Sequence, residues 1–281
     1  MAGSFKTAGV CANAALRSFS VGEFAPLLTI LAAQWLFLIG GLNLGSTWGM
    51  ALAGSVAQRL VGDAAIDYPG FLELLPLTFS YVESVTFIVL GAMALPSLTS
   101  RVLVRLKPSL GDSPTWAGRV RSAIVPTFLA LLMAFVLTYV WQLFVAQNLH
   151  RIVGALVQGQ VPSSVVTWLV SVAIGYAITT IFIYVPVVAV SQSIGAIKAV
   201  RLGVTEGFDK FPTTYLFVLL LSLPALAIQL IVQIGGPLIA SGTRPENIAY
   251  LLIFYALVST VATYFVWNMV TRYYHARTEA A

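Results

Sequence analysis

Glu83 lies near the centre of an apolar run, in Ser80-Tyr-Val-Glu-Ser-Val-Thr-Phe, and no residue in the chain is better placed to do chemistry. A carboxylate at that depth in hydrocarbon is costly, so it is expected to face protein rather than lipid and to find polar partners. At helical spacing Pro76, Ser80, Glu83, Phe87 and Gly91 share roughly one face, a small and polar stripe suited to a helix contact or a cavity. Gln34, Tyr176, Thr179 and Gln229 are the expected hydrogen-bond partners. Two readings follow. In one, Glu83 with Gln34 and Gln229 relays a proton or cation, or touches a polar substrate. In the other, it is a hydrogen bond that holds helices together. Glu73 is ten residues earlier, about 15 Å along a helix, too far to form a close acid and base pair with Glu83.

Other chemistry-bearing groups are scattered. His150 and His275 fall in different gaps between apolar runs, expected on opposite membrane sides, and Cys11 is the single cysteine. No intrachain disulfide can form, and neither a metal site nor a cofactor is expected. HExxH, GxxxxGK[ST] and Gly-x-Ser-x-Gly patterns are lacking, which disfavours the familiar soluble catalytic designs and points away from an enzyme.

The elements that must position these residues are membrane spans. The 281 residues are 59% hydrophobic and 9% charged, with mean hydropathy +0.91, whereas soluble domains carry roughly 25% charged residues. Six apolar runs, about 24–44, 70–96, 124–147, 165–190, 214–238 and 248–270, predict an all-α polytopic membrane protein forming a single domain over 1–281. Ala8 to Leu16 is too short for a span and does not read as a signal peptide. Ser20 and Glu23 fit a capping box that opens the first span. Gly41, Gly45 and Gly49 recur every four residues, a spacing for close helix packing or for an irregular external turn. Residues 50–69 read as an external amphipathic segment. Pro96 is expected to end the second span, and Pro224 to kink the fifth or free a carbonyl there. Trp267, Arg272, Tyr273 and Tyr274 look like an interfacial anchor.

All Lys and Arg residues except Arg59, Arg151 and Arg244 lie before the first run, in the second and fourth gaps, or in the tail. The positive-inside bias then predicts cytoplasmic termini. The formal charge of +5 is spread beside spans, so anionic headgroups rather than nucleic acid are the expected partners. Arg101, Arg105, Lys107, Arg119, Arg121, Lys198 and Arg201 would dock lipid or a protein partner in a membrane complex. Val102, Leu103, Leu106 and Leu110 alternate with basic residues, which suggests either a helix on the inner leaflet or a solvated connector. A second interfacial helix is expected where Ile194, Ile197, Val200 or Arg201, Val204 and Phe208 recur, weakened by Gly203 and Gly207.

Ser193-Ile-Gly-Ala-Ile-Lys-Ala-Val-Arg-Leu-Gly-Val-Thr-Glu-Gly-Phe, followed by a leucine-rich span, resembles an element of uncharacterised six-span prokaryotic membrane families related to the membrane domain fused to some glycerophosphodiester phosphodiesterases. Those families also close on a Tyr-Tyr then basic pattern like Tyr273-Tyr274-His-Ala-Arg277, with an Asp where His275 stands here. The likeness covers about the last third of the chain and implies a fold, with no catalytic residue carried over. Ala196 to Phe211 is also similar to the coupling loop of ATP-driven importer permeases, through Ala199 and Gly203, although the expected Leu-Pro comes late, at Leu223 and Pro224. The leading expectation is a non-enzymatic protein that moves a small or lipid-like solute or serves as a structural subunit. The alternatives are a membrane-embedded lipid-modifying enzyme and a permease partnered with a separate ATPase.

Overall fold

A computed structural model describes residues 2–42, 70–111, 115–145, 148, 163–242 and 246–279. Every regular element among them is helical: α1 (Ala2–Arg17), α2 (Val21–Leu42), α3 (Gly70–Leu106), α4 (Trp116–Ser122), α5 (Ile124–Phe144), α6 (Ser163–Phe182), α7 (Val185–Gln192), α8 (Ala196–Asp209), α9 (Phe211–Gly242) and α10 (Glu246–Glu279), with a 3-10 turn at Pro108–Leu110. Six stretches among the described residues are long and apolar enough to cross a membrane. A lipid core cannot hydrogen-bond a peptide group, so spans of this composition must satisfy their backbone within the helix. Gly45, Gly49, Arg59, His150, Arg151, Pro162, Arg244 and the 50–69 segment lie outside the described residues, while Gly41 falls in the last turn of α2.

Three boundaries depart from expectation: the sixth span runs on within α10 to Glu279, past the expected 270, and the other two lie at prolines. The second span does not stop at Pro96; α3 runs on to Leu106 and carries Arg101 and Arg105 as helix residues. Leu95, Leu98, Val102 and Leu103 are buried along that extension, and packing of this face outweighs the hydrogen bond that one proline removes. There is accordingly no separate helix over 101–110. The fourth span, expected to be continuous, breaks at Ile183–Tyr184 into α6 and α7. Pro186 sits in the first turn of α7, where a missing amide costs nothing and a fixed φ favours helix initiation.

The chain packs as two units. The first comprises residues 1–26, 91–221 and 264–281; the second comprises 27–90 and 222–263. In the first unit, α8 packs against α7, α6 and α5. Leu103, Trp116, Ala123, Ala189, Val190 and Ala199 form one core cluster, and Ala130, Ala134, Phe182 and Val185 another. Trp116 Nε1 donates to Ser100 Oγ at 2.7 Å. In the second unit, Leu31, Leu38, Leu75, Phe79, Val232, Leu252 and Ala256 are among the buried core, and Trp35 Nε1 donates to the Ile253 carbonyl at 3.1 Å.

Candidate functional site

In the second unit, Glu83 projects from α3 to Tyr255 and Ser259 of α10. The two hydroxyls are four residues apart, on one helix face. The Tyr255 hydroxyl is 3.1 Å from Oε1 and 3.3 Å from Oε2, and Ser259 Oγ lies 3.5 Å from Oε1. The edge of the Phe79 ring meets the Tyr255 ring with centroids 6.3 Å apart. Both donors are neutral, and the ion pairs among the described residues do not include Glu83. The site can hold a proton on the carboxyl or present an anionic oxygen to a cationic or hydroxylated solute. Its hydrogen bonds do not go to the expected Gln34, Tyr176, Thr179 or Gln229. Thr179 Oγ1 donates instead to the Gly175 carbonyl. Gln34, also in the second unit, is buried, and its Oε1 has no hydrogen-bond partner among the described residues. Pro224 is exposed, and α9 runs through it without interruption.

A second carboxylate, Glu23 in the first unit, has the opposite character. It is 5% exposed, and Arg105, Tyr264 and Asn268 donate to it at 3.1, 2.8 and 3.3 Å. Asn268 also donates to the Tyr264 oxygen at 3.1 Å and accepts from Arg272 Nε at 2.6 Å. Arg272 reaches Ser18 Oγ at 2.9 Å, Arg105 reaches the Ser18 carbonyl at 2.8 Å, and Arg101 donates to the Gly22 carbonyl. The expected capping box is therefore not made: the Ser20 amide donates to the Tyr264 hydroxyl, and Glu23 is spent on partners far along the chain. A cation and neutral donors satisfy both its oxygens, which makes this a latch.

A third cluster closes the end of α8. Lys210 Nζ is 5.3 Å from the ring centroids of both Tyr184 and Tyr274 and pairs with Glu206. Burial, with Arg277 adding to it, pushes the Lys210 ammonium down to about 8. The Tyr184 and Thr214 hydroxyls are 2.6 Å apart, and Gln192 donates to the Tyr274 hydroxyl at 2.9 Å. Trp267, Tyr273 and Tyr274, expected as interfacial anchors, are all buried, with Tyr273 bonded to Ser4. Their aromatic bulk fills the interior.

The glycines that were expected to weaken α8 are its packing face. Ala199, Gly203 and Gly207 are buried. A Cβ on Gly203 would stand 2.6 Å from the Val185 Cα, and one on Gly207 would strike the Ile181 carbonyl. Ile197 and Phe208, expected on the apolar face of an interfacial helix, are 83% and 60% exposed, beside exposed Lys198 and Arg201. Of the other basic residues, Lys107 and Arg121 are exposed, and Arg119 is half-buried with its guanidinium 5.8 Å from the Trp116 ring centroid. His275 pairs with Glu279 at 3.3 Å.

Sequence reasoning missed Glu23, Tyr255 and Lys210 as organising residues. The i,i+4 spacing of Tyr255 and Ser259 was a usable signal, since both hydroxyls had to share one face of a span. The six apolar spans among the described residues define a multi-pass membrane protein. Comparison with protein-family models, curated proteins and solved structures gave no match.

Proposed function

We propose that this protein moves a small or lipid-like solute across or within a prokaryotic inner membrane, with Glu83, Tyr255 and Ser259 as its polar contact inside the span. One observation carries the reading: Glu83 is held by neutral hydroxyls rather than by a cation, so protonation and deprotonation change the net charge of the site. A buried latch is built the other way, as Glu23 is. Intramembrane carboxylates of this kind serve proton and ion pathways.

The test is flux in proteoliposomes that carry a pH-sensitive dye inside and a fluorescent lipid in the bilayer. Wild type is expected to pass protons or to move the labelled lipid, with a rate that depends on pH. Glu83→Gln should lower that rate about tenfold or more and flatten the pH dependence, and Tyr255→Phe should shift the profile. Equal rates and profiles in wild type and Glu83→Gln would remove the proposal.

A second reading, a permease or structural subunit that depends on a partner, is favoured by the free face of α8. Exposed Ile197 and Phe208 flank Lys198 and Arg201 there, a mixture of apolar anchors and positive charge suited to a protein or headgroup surface. Co-purification in mild detergent separates the two readings. A solitary monodisperse monomer with intact flux supports the first and eliminates the second.

A further inference from the structure

The geometry points to a phosphate-binding cleft in the first unit, formed by α4 and the α7–α8 junction and independent of Glu83. Thr115, Gly118, Arg119, Ser122 and Ser193 line an open cavity of about 390 Å³. That volume is within the range of small-molecule sites, about 300–1,000 Å³. Among the described residues its lining has the composition such a ligand needs: one guanidinium, three hydroxyls and a glycine.

Arg119 is the anchor. The ion pairs among the described residues belong to Arg105, Lys210 and His275, and Arg119 meets the Trp116 ring instead. At that distance the ring attracts the cation without consuming its N–H donors, and the guanidinium fork matches two oxygens of a phosphate. The Ser122 hydroxyl donates to the Arg119 carbonyl at 2.9 Å, a bond within one turn that a phosphate oxygen can replace. Ser193 has φ 49°, the left-handed conformation that non-glycine residues rarely adopt. This is the left-handed cap with which α7 ends, and it sets Ser193 on the cleft wall. Gly118 keeps the cleft open, because a Cβ there would have no neighbour within 4 Å.

The ligand class is a phosphate mono- or diester, supplied either by an anionic lipid headgroup or by a soluble phosphate compound. The full-length protein, delipidated in mild detergent, is titrated with phosphatidylglycerol, phosphatidylcholine and inorganic phosphate and read by native mass spectrometry. Wild type should hold one phosphatidylglycerol, or one phosphate, in preference to phosphatidylcholine. Arg119→Gln should weaken that binding about tenfold or more, with Arg119→Lys falling between because an ammonium is a point charge. Gly118→Leu keeps every charge and fills only open space, so it preserves the fold while blocking the cleft, and it should weaken binding as strongly as Arg119→Gln. Arg17→Gln, which removes one exposed charge outside the cleft, should change nothing. Binding of phosphatidylglycerol that free phosphate cannot displace assigns the lipid headgroup. Phosphate binding with the same variant pattern but no lipid retention assigns a soluble ester. Wild-type affinity in Gly118→Leu, or no preference for phosphatidylglycerol or phosphate in wild type, overturns the proposal.

Discussion

Lys210 is a cation whose surroundings oppose its charge. The rings of Tyr184 and Tyr274 and the carboxylate of Glu206 favour the ammonium, but burial and the positive Arg277 prevail and hold it near 8. An unfolded lysine titrates near 10.5, the ordinary value. Between these two values the unfolded chain binds the proton more tightly, so this group makes the folded state more stable as pH rises. Thermal unfolding in detergent should therefore show wild type gaining on Lys210→Met as pH goes from 8 to 10.5, and a constant difference would contradict the assignment. At this scale the sequence was half legible. Glu83 could be singled out because a lone acid in an apolar run is conspicuous. Glu23 could not, since an acid three residues after a serine at a helix start has a sufficient local explanation, and its actual partners, Arg105, Tyr264 and Asn268, are set by tertiary packing. The same limit applied to Lys210, whose aromatic neighbours come from the break between α6 and α7 and from α10.

Among the elements, α8 shows how one residue type can carry opposite meanings. In isolation, Gly203 and Gly207 lower helix propensity; against α6 and α7 they let the α8 backbone approach Val185 and Ile181. Gly207→Ala should therefore cost about 1–3 kcal/mol through overpacking, even though alanine is the better helix former. Gly118→Ala, with open space around it, should be neutral or gain up to about 1 kcal/mol. Unfolding midpoints of the two variants check both signs, and an unperturbed Gly207→Ala would mean that α8 does not pack as described. Span starts were legible to within a few residues because hydropathy sets them, whereas the ends of the second and sixth spans were not. What each proline does was not: Pro96 sits inside α3 and Pro186 opens α7, and the difference lies in which neighbouring face is buried.

For the whole molecule, hydropathy fixes the class and basic residues give the expected orientation. Cys11 makes that orientation testable. The thiol is buried in α1, and burial raises its pKa despite the nearby Arg272, so a maleimide should leave the wild-type protein unlabelled. Against that silent background, a membrane-impermeant maleimide should reach Lys198→Cys only in inside-out vesicles and Gln158→Cys only in intact cells; the reverse pattern would invert the topology. The Glu23 latch also has a consequence in time. Its partners arrive in instalments: Arg105 follows by 82 positions, Tyr264 by 241 and Asn268 by 245. A ribosome that has delivered the first two spans has supplied Glu23 with one cation, and a chain released before Tyr264 never completes the node. Such a fragment leaves Glu23 with Arg105 alone of these three partners.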